Sequence, residues 1–148
     1  MPKSFTADVK KFAELTKKNM RYVATAAIQD VVEAAQTPQQ SVEQTGGSFE
    51  IGKIPVRDAD LINSLASGIN GAFGPESADS YVVTIAGYEI GDSMKFAWTA
   101  EHAMRIESGF TGTDKNGREY NQAGRQFVAY NAALFSGFVE QRVREVQR

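Results

Sequence analysis

The chain has 148 residues, 42% hydrophobic and 23% charged, with a formal net charge of −2. That suits a single domain over residues 1–148 able to bury a core, and it weighs against a dedicated nucleic-acid binder, although a near-neutral chain can still gather lysines on one face. Without cysteine there is no disulfide, thiolate nucleophile or Cys-ligated zinc, and with no apolar run of membrane-span length and no signal-like N-terminus a soluble cytosolic product with no membrane partner is expected.

Residues Thr6 to Gln36 contain no Gly or Pro, and Val9, Phe12, Met20, Val23, Ala27, Val31 and Ala34 recur at steps of three and four, with Thr16 filling the gap. The period predicts an amphipathic helix of roughly 45 Å, started by a Ser4 or Thr6 cap and stopped at Thr37-Pro38. So long a helix overhangs a small sheet or packs on another subunit. Lys10, Lys11, Lys17, Lys18 and Arg21 crowd its first half, against the preference of the helix dipole. They are either a solvated face or a surface for an acidic partner or DNA phosphates.

Residues 37–60 read as a long loop bent at Gly46-Gly47, with Ser48–Val56 supplying one short edge strand that Pro55 keeps out of a sheet centre. Asp58–Ile69 is predicted as a short helix with Leu61, Leu65 and Ile69 on one face, capped by Asp58 or Asp60, and Gly68–Ser80 as a flexible connection. Tyr81–Tyr88 and Ser93–Thr99 are predicted to form the antiparallel core of the sheet, joined by a hairpin loop at Glu89–Asp92. A short helical turn, AEHAMRIES, stops at Gly109, and a polar loop, FTGTDKNGREYNQAG, leads to a C-terminal helix from Ala123 to Val146. Its face of Phe127, Val128, Leu134, Phe135, Phe138, Val139, Val143 and Val146 is expected to cover the sheet, with Gly137 a weak point. The fold class is therefore α+β: a small antiparallel sheet flanked by a long N-terminal helix and a C-terminal helix, with long loops.

No catalytic set assembles from these residues. His102 is the only histidine and has no HExxH spacing; Glu101 and Glu107 stand six apart and do not share a helical face. Glu107 reads as the partner of Arg105, Arg118 or Arg125, or as a cap on loop amides. Asp114-Lys115-Asn116-Gly117 lacks the later ligands of a calcium loop and reads as an Asn-Gly turn. Gly109, Gly112, Gly117 and Gly124 are too far apart for a phosphate cradle, and neither GxxxxGK[ST] nor GxGxxG occurs. Trp98 and Phe96 fit core packing better than base stacking, because Lys95 is the only basic neighbour.

In order along the chain these features resemble the neck or tail-completion (head–tail joining, minor tail) proteins of long-tailed bacteriophages. The likeness lies in a long opening helix, then Ile54-Pro55-Val56-Arg57-Asp58-Ala59-Asp60-Leu61-Ile62-Asn63-Ser64, then the corner His102-Ala103-Met104-Arg105-Ile106-Glu107-Ser108-Gly109, then Gly124, Phe127 and Val128 opening the last helix. Asp58-Ala59 stands where the family has Thr-Gly, and His102 where it has tyrosine.

The resemblance implies a structural virion protein, not an enzyme and without cofactor. It would be assembled in the host cytoplasm into a homo-oligomeric ring, six subunits expected, around the DNA channel. Its partners would be connector, neck and tail-tube proteins and DNA passing without sequence specificity. Pro55, Leu61, Ser64, Trp98, His102, Ala103, Glu107, Gly109, Gly124 and Phe127 would carry the family motif. Lys10, Lys11, Lys17, Lys18, Arg21, Lys115 and Arg118 would face the interface or DNA. The alternative is a nucleic-acid-binding accessory protein using the basic half of the first helix. A small hydrolase using Glu101, Glu107 and nearby acids ranks last.

Overall fold

The computed structural model describes residues 5–56, 59–113, 116, 117 and 119–147. Ser4, Arg57, Asp58, Asp114, Lys115 and Arg118, named above as caps, turn residues, ion-pair partners or interface residues, lie outside them. The fold is α+β, as the sequence predicts: a long N-terminal helix, a small antiparallel sheet and a C-terminal helix.

Helix α1 spans Phe5–Ala35, about 46 Å at 1.5 Å per residue. Its second half buries Ala27, Val32 and Ala35, whereas every residue from Val9 to Lys18 is exposed. The Thr37 hydroxyl closes the helix by donating to the Glu33 carbonyl at 3.0 Å. Strand β1 (Pro38–Gln40) then pairs in parallel with β2 (Ile54–Val56). Between them α2 (Val42–Thr45) ends at Gly46, whose φ of 79° is the left-handed geometry of a helix stop. The Gln39 side chain holds the loop, donating to the Glu50 and Lys53 carbonyls and accepting from the Glu50 amide.

After α3 (Asp60–Asn63) the chain enters β3 (Leu65–Ile69), the central strand of a three-stranded antiparallel sheet with β4 (Ala72–Phe73) and β5 (Met94–Trp98) on its two sides. Asn70 and Gly71, both at positive φ (54° and 86°), make the tight turn into β4. Helix α4 (Ser80–Ala86) packs against β3 and α1, burying Ile85. Its first residue is tied to the strand, because the Ser80 hydroxyl donates to the Leu65 carbonyl at 2.7 Å.

Helix α5 (Ala103–Ser108) leads into the separate hairpin β6 (Gly109–Thr113) and β7 (Glu119–Ala123). The chain closes with α6 (Ala129–Ala132) and α7 (Phe135–Val146). Helix α7 lies on α1, pinned by Arg142, which forks onto Asp30 at 2.8 and 2.9 Å. The tightest core joins Ile54, Leu61 and Phe127, with Trp98, Ala103, Ile106 and Val128 packed around them. Trp98 meets Phe127 edge to face at 5.2 Å, the arrangement ring quadrupoles favour.

The structure corrects several expectations. Tyr81–Tyr88 is not a strand: helix α4 occupies it, and the strand pairing Met94–Trp98 is Leu65–Ile69. The predicted helix over Asp58–Ile69 shrinks to Asp60–Asn63, and Glu89–Asp92 joins a helix to a strand instead of closing a hairpin. Gly68–Ser80 is no plain connection, since it carries the turn into β4. Within Ser48–Val56 only Ile54–Val56 is strand. The polar loop after Gly109 is a β-hairpin. The C-terminal helix starts at Ala129, is interrupted before Phe135, and covers α1, not the sheet.

Candidate functional site

Two features stand out: a rigid corner built by the motif residues, and a helix that leaves the body. At the corner Gly109 ends α5 with φ 89°. A β-carbon there would lie 2.6 Å from the Gln122 carbonyl oxygen, and one on Gly124 would lie 2.3 Å from the Glu107 carbonyl oxygen. Only glycine fits at either position. Beside them the Glu107 carboxylate accepts from the Val128 amide at 3.0 Å and the Ala129 amide at 2.8 Å. It caps α6 from a different element, where the sequence suggested an arginine partner or a cap on loop amides.

The remaining motif residues join the same unit. Leu61, Trp98, Ala103 and Phe127 share the core, and Ser64 links α3 to β5 by accepting from the Thr99 amide and hydroxyl, both at 3.1 Å. Pro55, Leu61 and His102 line a cavity of about 260 Å³ together with Ser41, Glu43 and Arg125. Arg125 is 2% exposed. Its guanidinium lies 4.6 Å from the Phe49 ring and donates to the Ala123 carbonyl at 3.1 Å, and burial pulls its pKa down. Its backbone spans the corner too, amide to Ile106 and carbonyl to Gly52. The corner thus gathers structural contacts. Among the described residues, no group of three or more His, Asp or Glu is placed to hold a metal.

The overhang is different in kind. On the first half of α1, Val9, Phe12, Leu15 and Met20 are exposed, Phe12 at 72%. Lys10, Lys11, Lys17 and Lys18 are exposed as well, and none forms an ion pair among the described residues. At 100° per residue the lysines occupy one side and the apolar residues the other. Arg21 departs from this group: it donates to the Ala86 and Tyr88 carbonyls at 2.9 and 2.7 Å, capping the C-terminal end of α4. The apolar side continues into a groove of about 440 Å³ between α1 and α7, lined by Met20, Val23, Phe135, Val139, Val143 and Val146. No described helix is long and apolar enough to cross a membrane.

Three polar anchors were not foreseen in these roles: Gln36, Arg125 and Asn131. Gln36 bonds the Ile62 and Ala78 carbonyls and accepts from the Trp98 indole. Asn131 donates to the Gly52 and Phe127 carbonyls at 2.7 Å. Each also meets a partner remote in sequence, Trp98 for Gln36, Phe49 for Arg125 and Gly52 for Asn131, so only an arginine and an asparagine amid a predicted apolar helix hinted at them. Compared with known proteins, the chain matches no family model, no curated protein and no solved structure.

Proposed function

We propose that this chain is a structural subunit of a phage head–tail junction, a neck or tail-completion protein that works in the virion as a ring around the DNA channel. It is a docking element and not an enzyme. The observation that carries the reading is the start of α1, where ten consecutive residues, Val9 to Lys18, are exposed with an apolar and a basic side both open. A helix that served only the monomer's core would end where its burial ends. The hairpin of β6 and β7 forms a two-stranded sheet of its own, and a hairpin of this kind is a natural means of strand addition. The resemblance along the corner motif, whose residues form one packed unit, supplies the phage assignment.

Deleting the gene from the genome that carries it tests the reading. Filled heads and separate tails are expected by electron microscopy. Normal infectious particles would sink it.

The lysines, without an ion pair among the described residues, favour one second reading, nucleic-acid binding along α1. Four phosphate contacts imply a loss of about 100-fold in affinity between 50 and 200 mM salt. A mobility-shift series that shows this slope, lost when Lys10, Lys11, Lys17 and Lys18 become glutamine, would establish it in place of the docking role.

A further inference from the structure

The overhang has a counterpart on the same chain. From Asp58 to Met94 the sequence contains no lysine, arginine or histidine, while it carries Asp58, Asp60, Glu76, Asp79, Glu89 and Asp92. Within this stretch a cleft of about 310 Å³ opens between the 74–79 segment and α4, lined by Pro75, Asp79, Val82 and Val83. Val83 is 79% exposed, Val82 and the neighbouring Phe73 about half. Asp79, which lines the cleft, and Glu76, between the lining residues Pro75 and Ser77, are both exposed. The Tyr81 phenol next to it is pushed up by burial first and then by the charges of Glu33 and Asp79, a sign of the negative field there.

We infer that the start of α1 in one copy docks its Val9–Phe12–Leu15 stripe on the α4 cleft of a second copy, with Lys11 and Lys18, the lysines that border the Leu15 edge of the stripe, set against the acidic rim. Apolar surface meets apolar surface and each is flanked by the opposite charge, the complementarity that selects a partner. The contact cannot form within one chain. Helix α1 is continuous from Phe5 to Ala35, and Arg21 already fixes the end of α4 to its middle, so the overhang points away from the cleft. Two different patches make the contact heterologous, and repeated head to tail it closes a ring or extends a filament. It deepens the proposal of a ring subunit and rests on it.

The patches are small, so the contact is weak in solution and is best trapped covalently. The chain has no cysteine, so engineered thiols report only the intended pair. Phe12→Cys and Val83→Cys, both at exposed positions, are mixed at about 0.2 mM each under mild oxidation, a concentration that populates weak complexes. The mixed dimer is expected in about five-fold excess over either homodimer, and raising salt to about 0.5 M is expected to cut its yield several-fold. The double variant is expected to give a ladder of oligomers. Absence of the mixed dimer, a Phe12→Cys homodimer of equal yield, or a yield that ignores salt would overturn the contact. Any of these would leave the deletion phenotype to judge the neck assignment separately.

Discussion

Gly109 and Gly124 cross so closely that a β-carbon on Gly109 would lie 2.7 Å from the Gly124 nitrogen, and one on Gly124 would lie 2.9 Å from the Gly109 nitrogen. The obstacles are backbone atoms, which cannot swing aside as a flexible side chain does. Gly124→Ala is therefore expected to cost at least about 3 kcal/mol of stability, or to prevent folding, the range of a steric clash inside a packed unit. Urea denaturation reads the effect. Gly137→Ala is the control, since its added methyl meets nothing within 4 Å, and mid-helix alanine is expected to add up to about 1 kcal/mol.

Glu107 fastens the same corner to α6 through two charge-assisted bonds. Glu107→Ala leaves the Val128 and Ala129 amides without their acceptor and is expected to cost about 2 kcal/mol. Glu107→Gln keeps one acceptor oxygen and is expected to cost about half as much. A catalytic carboxylate would behave differently: the amide would abolish turnover with little loss of stability. Thermal unfolding of the two variants decides between these outcomes, and equal costs for both would count against the capping role.

Burial pattern explains which elements could be read from sequence. Helix α1 was legible because its apolar positions repeat for many turns without Gly or Pro, and β5 because Met94, Phe96 and Trp98 alternate with other residues. Helix α4 was not. Its YVVTIA run has the β-branched residues of a strand, but Ser80 anchors it across β3 with Ile85 buried, and that tertiary packing overrides a preference of a few tenths of a kcal/mol per residue. The hairpin of β6 and β7 hid for the opposite reason: none of its described side chains is fully buried, so no apolar alternation marks it. The Asn70-Gly71 pair is a strong hairpin signal, but it sits in a Gly- and Ser-rich run whose composition marks a connection. At the site, Gly109 was legible as the residue that stops α5, whereas the Val128 and Ala129 amides that Glu107 caps and the Gly124 backbone that Gly109 crosses belong to other elements, which no local pattern specifies. Arg125 and Asn131 were not legible, since their neighbours come from the loop around Phe49–Gly52.

The C-terminal helix gives a prediction about pairing. Asp30 and Arg142 have only 20% and 28% of their side chains exposed and meet in a fork, a better geometry than ordinary surface pairs. A double-mutant cycle with Asp30→Asn and Arg142→Met is expected to return a coupling of roughly 1 kcal/mol that shrinks with salt. A coupling of zero would mean that this pair does not help to hold α7 on α1.

The same staple has a pH dependence with a definite sign. Glu145 accepts from the Tyr22 hydroxyl and from Arg142, and these contacts, Tyr22 first, hold its pKa below the usual 4.5. A carboxylate depressed on folding stabilises above its unfolded value and loses that contribution as pH falls through the folded one. The extra stability of the natural chain over Glu145→Gln is therefore expected to be constant above about pH 4.5 and to close only below it. Tyr22→Phe removes the larger cause and is expected to move that closing upward toward 4.5, while Arg142 stays charged throughout. Melting temperatures between about pH 3 and pH 7 follow the closing directly. A gap that closed at the same pH with and without the Tyr22 hydroxyl would show that Arg142 alone sets the carboxylate, and that the hydroxyl contributes packing but no proton linkage.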